Sequence, residues 1–523
     1  MTIKISIQVL AMMSLCASHS WAAEPAQARK RPNILFALAD DQSWLDVSAM
    51  GSKIAHTPAF DRVAKEGVLM THAFATCPSC TPSRSSILTG RHIWQIEQGG
   101  VLYGTIPKKY PLCSHLLADA GYHVGYTGKG WGPGNLAAGG LTRNPIGMEY
   151  NERQMSSVPS GIDVRDYAAN FEAFLNDRPE DAPFFFWFGC TEPHRVYEDG
   201  VGLKSGKKLA DAKVPKFWPD TDLVRSDLLD YAYEIEWMDA HLKRMLDKIS
   251  ALGELDNTLV VVTSDNGMPF PRAKVNLYDH GVRMPLAICW PKAVPGERVI
   301  DDFMSHIDLA PTFLEAANIT PPKEMTGRSL LPILTSKASG IVDSTRDRAY
   351  FALERHTWCR PEGATYPIRG MRTRDHLYLR NYAPDRWPTG GPSFVSSNKT
   401  FHGDIDGCPT KTFMLEPDHQ QRYADQFAWC FGKRPAEELY DVWKDPDQVN
   451  NLADHPNHQE ARKRLRKSLE DYQETTGDPR RIGDGPWQSY IYHQTVGFGA
   501  TFNRSLNESE REEARRRAAH KPE

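Results

Sequence analysis

The sequence predicts an α/β fold, a doubly wound and mostly parallel sheet followed by a smaller antiparallel sheet packed by a helix. Three observations carry this expectation. Continuous apolar runs recur and each empties into polar residues, helical patterns fall between them, and the texture changes after about residue 345. At 523 residues the chain is also too long for one simple core, which favours a large domain with a smaller companion.

The runs can be taken in order. Residues 33–39 are apolar throughout and end at Asp40 and Asp41, where open α/β sheets place their ligands. Residues 57–67 read as an amphipathic helix with a proline start and a glycine stop. A short strand at 122–126 leads into a glycine-rich stretch holding Lys129. Another apolar run at 183–189 empties into Thr191, Glu192, Pro193, His194 and Arg195. Residues 226–255 carry an apolar helical face, and the β-branched run 258–263 ends in Ser264, Asp265, Asn266 and Gly267. A further strand is expected at 284–290 and a helix at 306–317. Beyond 345, prolines, glycines and tryptophans become frequent, strands such as 376–380 look short and antiparallel, and a helix at 459–475 should cover that small sheet.

Residues 1–23 read as a secretory signal: an early lysine, an apolar run and small residues at the cleavage point. The expected units are that leader, a large α/β domain at 30–345, an α+β subdomain at 346–490 and a charged tail at 491–523. The expectation is an exported protein, periplasmic or secreted, with no membrane span. A net charge of −4 gives no bulk attraction for nucleic acid or anionic lipid, so any anion site must be local. Of nine cysteines, setting aside Cys16 in the leader and Cys80 leaves an odd number, so at least one thiol stays free. Cys359, Cys408 and Cys430 could supply a disulfide.

The chain turns on residues 80–91. Thr81 is a plausible N-cap, Pro82 suits a first helical turn, and Gly90 can end the helix. Cys80 would then sit where unpaired N–H groups and the helix dipole favour negative charge, with Arg84 one turn on. Cys77 and Cys80 also read as a redox Cys-x-x-Cys pair, but no second pair or nearby histidines complete a metal site. The pattern Cys80-x-Pro82-Ser83-Arg84 with Leu88-Thr89-Gly90-Arg91 resembles the signature of the type I sulfatases, of the alkaline phosphatase superfamily.

That resemblance implies much of the site. Cys80 would be oxidised to formylglycine (3-oxoalanine) by a separate maturation enzyme. The hydrated aldehyde has two hydroxyls, one to attack sulfur and one to expel sulfate afterwards. Asp40, Asp41, Asp265 and Asn266, joined by residue 80, would hold a metal. Four hard oxygen donors suit Ca²⁺, or less well Mg²⁺, and lack the histidines a zinc phosphatase would use. Arg84 would steady the hydrated aldehyde, Lys129 and Lys274 would hold sulfate oxygens, and His194 would protonate the leaving atom. The family commonly has Gly-Lys-x-His, whereas here Trp131 takes the histidine's position. His115, His123 or a water would have to serve as the elimination base.

Glu192 to Arg195, 265–271, 276–278, 326–332 and 366–369 further resemble the heparan N-sulfatases. The substrate implied is a sulfated saccharide, N- or O-linked, with N-sulfoglucosamine the closest likeness. Glu354, Arg355 and His356 are the expected substrate contacts, with Arg360, Arg372 and Arg386 as further candidates and Trp358 or Trp387 as stacking platforms. The rival readings are a phosphonate or phosphate monoester hydrolase on this scaffold and an unmodified sugar-binding pseudo-sulfatase.

Overall fold

The computed structural model of the chain describes residues 31–494 apart from 395 and 397–399. The proposed leader at 1–23 and most of the tail at 491–523 lie outside the described residues. Nine strands make the large sheet: β1 (Asn33–Ala39), β2 (Val68–Phe74), β3 (His123–Gly128), β4 (Met148–Glu149), β5 (Phe184–Gly189), β6 (Thr258–Ser264), β7 (Arg283–Met284), β8 (Leu286–Cys289) and β9 (Arg298–Ser305). Their order is β4-β3-β5-β1-β6-β8-β2-β7, with β9 also paired to β2. The central pairs β3–β5, β5–β1 and β1–β6 are parallel, whereas β8 runs antiparallel to both β6 and β2. The single run expected at 284–290 is split by Pro285, which cannot donate to the ladder.

Alternation along β1 shows why its sequence is apolar throughout. Ile34, Phe36 and Leu38 join one core and Leu35, Ala37 and Ala39 the other, so both faces are covered. Helices Pro58–Glu66, Tyr167–Asn176 and Asp222–Ala251 supply side chains to the second core, and Leu309–Ala316 to the first. The long helix starts four residues before the expected 226, because Thr221 accepts a hydrogen bond from the Val224 amide and caps it.

Four antiparallel strands follow: β10 (Arg348–Leu353), β11 (Ile368–Thr373), β12 (His376–Asn381) and β13 (Glu437–Asp441). Helix Gln459–Thr475 packs Leu465 and Leu469 on Met371, Tyr378 and Leu439. The opposite face of this sheet shares an apolar core with the large one, through Phe351, Leu377 and Leu379 against Phe74, Cys77 and Leu277. All eight described cysteines are free and buried. The disulfide among Cys359, Cys408 and Cys430 is therefore not formed, and Cys77 is an apolar core residue rather than half of a redox pair.

Candidate active site

Strands β3, β5, β1 and β6 are neighbours and run parallel, so their carboxyl ends share one edge of the sheet. That edge gathers Lys129 after β3, His194 beyond β5, Asp40 and Asp41 after β1, and Asp265 and Asn266 after β6. The β3 and β5 ends close tightly, since a Cβ on Gly128 would lie 2.0 Å from the Gly189 carbonyl oxygen and its φ is +80°. Only glycine fits there, and Lys129 is thereby turned into the site.

The helix Cys80–Thr89 points its N-terminus at the same edge. Its N-cap position is Ser79 rather than Thr81. Thr81 lies inside the first turn and its hydroxyl donates to the Pro133 carbonyl at 2.5 Å. The Ser79 hydroxyl makes no cap; it hydrogen-bonds His356 Nδ1 at 2.8 Å. Gly90 ends the helix at φ 62° as its sequence anticipates.

The site itself is buried charge. Arg84 is fully buried, and its Nε donates to Asp265 Oδ2 at 2.7 Å while Nη1 donates to the carbonyls of Lys129 and Gly130. Its Nη2 lies 3.7 Å from Asp40 Oδ1 and has no hydrogen-bond partner. Lys129 pairs with Asp40, and Lys274 reaches Asp41 at 2.6 Å and Asp406 at 2.8 Å. His194 Nδ1–H donates to the Arg195 carbonyl, which turns Nε2 to within 3.7 Å of Asp41 Oδ2. Burial works against ionised Asp40, yet Lys129, His194 and Arg84 hold its carboxyl well below the ordinary range. Burial and then the Asp40 charge raise Asp265 to about 6, while burial and Asp40 push the Cys80 thiol far up. As a plain thiol, Cys80 is therefore not a thiolate nucleophile at neutral pH.

The oxygen donors fit a cation. Carboxylate oxygens of Asp40, Asp41 and Asp265 lie within 4.8 Å of one another. Asn266 Nδ2 is tied to Asp41 and Gly267, while its buried Oδ1 has no hydrogen-bond partner. A buried acceptor left unpaired beside three carboxylates suits a hard divalent ion. Charge agrees with this. Asp40, Asp41, Asp265 and Asp406 outnumber Arg84, Lys129 and Lys274 by one, so the set has acidic charge to spare for a divalent cation.

A family model described as Sulfatase matches residues 32–319. The chain belongs to the sulfatase family. A second model, described as N-sulphoglucosamine sulphohydrolase, C-terminal, matches residues 273–387 of this sulfatase. It is 29% identical over 495 residues to the human N-sulphoglucosamine sulphohydrolase, covering 86% of this chain and 92% of that one. It is 26% identical over 469 residues to an ulvan-active sulfatase of Formosa agariphila, covering 88% and 84%. A solved structure in complex with its substrate, D-glucosamine-2-N,6-O-disulfate, superposes with a TM-score of 0.62 at 21% identity, covering 87% of this sulfatase and all of that chain. The shared architecture is the alkaline-phosphatase-like fold.

The expected substrate contacts fare differently from the rim. Glu354 is fully buried and pairs with Arg369 at 2.9 Å and Arg480 at 2.8 Å, so it holds the small sheet together and is closed to a sugar. Arg355 is buried against Trp358 and Tyr492 and donates to the Tyr490 carbonyl, anchoring residues near 490. Arg360 is tied to Asp404 and to the Trp387 carbonyl, and Arg372 to Asp279. Arg386 is half-buried and donates to the Thr365 carbonyl. Of the three residues at 354–356, only His356 adjoins the cluster, through Ser79; burial and then Lys274 among its charged neighbours lower it to about 4. Trp358 and Trp387 are half-buried.

Trp131 is 4% exposed, lies in the core, and donates its indole N–H to Ser85 at 2.7 Å. Neither histidine offered as its substitute base reaches the site. His115 bonds the Asn144 carbonyl, and His123 stacks on Phe174 at the amino end of β3. Asp406 is the site residue that sequence reasoning missed. Its glycine-flanked Asp404-Ile405-Asp406 triplet is visible, but nothing in the spacing ties it to Lys274, 132 positions away.

Proposed function

We propose that this sulfatase is an exported, calcium-dependent formylglycine enzyme that removes sulfate from a sulfated saccharide, with N-sulfoglucosamine of heparan type as the preferred unit. The observation that carries it is Cys80 at a helix N-terminus among Asp40, Asp41, Asp265, Asn266, Lys129 and Lys274. The N-sulphoglucosamine sulphohydrolase match over 273–387 and the human relative support the N-sulfated sugar. Residues 1–23 support export.

Asp40, Asp41, Asp265 and Asn266 would hold calcium, which when bound lowers the pKa of a coordinated hydroxyl and neutralises sulfate oxygens. Arg84, already on Asp265 and aimed at Asp40 with a spare N–H, would steady the oxygens carried by residue 80. Lys129 and Lys274 would move from Asp40 and Asp41 onto sulfate oxygens as fixed positive charge. His194, when protonated, would give its Nε2 proton to the leaving nitrogen or oxygen. With Trp131 in the core, a water is the base left for releasing sulfate from residue 80.

The test is a peptide mass across residue 80 together with sulfate release from a glycan panel. Oxidation of thiol to aldehyde lowers the mass by about 18 Da and precedes nucleophilic turnover. Release from N-sulfoglucosamine is expected. Release from O-sulfates only moves the substrate to another glycan. A retained thiol in a host with working maturation machinery refutes the mechanism, and faster phosphonate than sulfate turnover favours the hydrolase rival.

A further inference from the structure

Asp406 comes from a loop outside both sheets, yet the fold fixes it beside the reacting centre. Its neighbour Asp404 accepts from the Thr357 amide at 2.7 Å, the Thr357 hydroxyl at 2.7 Å and Arg360 at 2.8 Å. Lys411, itself buried, donates to the carbonyls of His402 and Ile405. The loop is thus clamped on both sides of Asp406. That side chain is 23% exposed, gives Oδ2 to Lys274 at 2.8 Å, and has a carboxylate oxygen within 4.8 Å of both His194 and Asp41. Asp406 therefore stands beside both His194 and Lys274, so an atom that leaves with the His194 proton would come within its reach.

A carboxylate there discriminates between the two kinds of sulfate. When a sulfamate is cleaved, the S–N bond breaks with its electron pair left on nitrogen. Nitrogen keeps the hydrogen it already carried and takes the His194 proton to leave as R–NH₂; of the two protons that water releases, one restores His194 and the other makes the amine an ammonium. Water supplies the oxygen to sulfur, so R–NH–SO₃⁻ and H₂O give R–NH₃⁺ and SO₄²⁻. The leaving atom has an N–H to donate throughout and ends as a cation. An ester's bridging oxygen has no hydrogen to donate, presents lone pairs to the carboxylate, and leaves as a neutral alcohol. We propose that Asp406 is the residue that selects N-sulfate over O-sulfate, by accepting the leaving nitrogen's N–H and complementing the ammonium that forms. This rests on the sulfatase reading above, with His194 as the proton donor.

The bland alternative is that Asp406 only props Lys274. Asp406→Asn and Asp406→Ser, with the aldehyde at residue 80 verified by mass, separate the two. Turnover of N-sulfoglucosamine and of 6-O-sulfo-N-acetylglucosamine would be measured beside competitive inhibition by inorganic sulfate, which reports the lysine clamp. Loss of one charge-assisted hydrogen bond should lower kcat/KM for the N-sulfate by about 10–100-fold in both variants. The inhibition constant for sulfate should move little. A rise in that constant matching the loss of N-sulfate turnover overturns the proposal, as does an unchanged N- to O-sulfate preference or a wild-type enzyme acting only on O-sulfate. A wild-type enzyme that carries the aldehyde and releases sulfate from neither sugar refutes the underlying saccharide reading instead.

Discussion

The two walls of the site use buried charge for opposite ends. At the strand-end rim, Asp40, Asp41 and Asp265 face Arg84, Lys129 and Lys274, and the set is left incomplete: Arg84 Nη2 and Asn266 Oδ1 have no hydrogen-bond partners. On the C-terminal wall, Glu354 meets both Arg369 and Arg480, and Asp404 meets Arg360 and Thr357. Those groups satisfy one another and leave nothing for a ligand. Ionised side chains near a site are thus informative only when their partners run short. Completed networks are architecture.

The largest expected effect tests the rim. Cys80→Ala removes only a sulfur atom from a helix whose turn does not depend on it, so thermal stability should change little. Sulfate release should fall by about 10³-fold or more, as for loss of a nucleophile. Activity that survives this change would show that residue 80 does not carry the chemistry, and the contrast between the walls would lose its functional half.

The C-terminal wall predicts the reverse pattern. Glu354→Ala leaves two buried guanidinium groups without that partner, which should cost about 3–5 kcal/mol of stability. A lower Tm is expected, with KM of the folded enzyme close to wild type. A raised KM at unchanged Tm would restore Glu354 as a sugar contact and erase the distinction.

The same contrast explains what could be read from the chain alone. In a parallel sheet the functional side chains follow directly on the apolar runs, so Asp40, Asp41, His194, Asp265 and Asn266 are found by walking off the end of a strand. Lys129 and Cys80 sit at glycine-rich or helix-starting punctuation that is equally local. The C-terminal wall has no such grammar. Glu354, Arg355 and Arg372 look like sugar ligands because they are charged and lie in or beside a loop-rich segment. Their partners, such as Arg480 for Glu354 and Asp279 for Arg372, are about a hundred positions away. Asp406 was hidden for the same reason: its relation to Lys274 exists only once the loop at 402–408 is folded back over the rim.

A third kind of buried carboxylate lies behind the rim, and its effect, taken per pH unit, is the smallest of the three. Glu234, on the long helix, is 1% exposed, and neither of its oxygens has a hydrogen-bond partner. Burial first, then the neighbouring Glu192, raises it from 4.5 to about 9. Between those values the folded protein holds a proton that the unfolded chain has released. Stability should therefore fall as pH rises from 4.5 to 9, with a slope of at most about 1.4 kcal/mol per pH unit. Glu234→Gln cannot ionise and should lack that slope. Its Tm should exceed that of wild type near pH 8.5 and converge with it toward pH 5. Parallel Tm curves for the two proteins would mean that Glu234 is ionised and paired in solution, and so belongs with the completed networks of the C-terminal wall. A steeper wild-type curve would make it a carboxyl kept neutral by burial, a state distinct from the ionised rim set and from the paired wall.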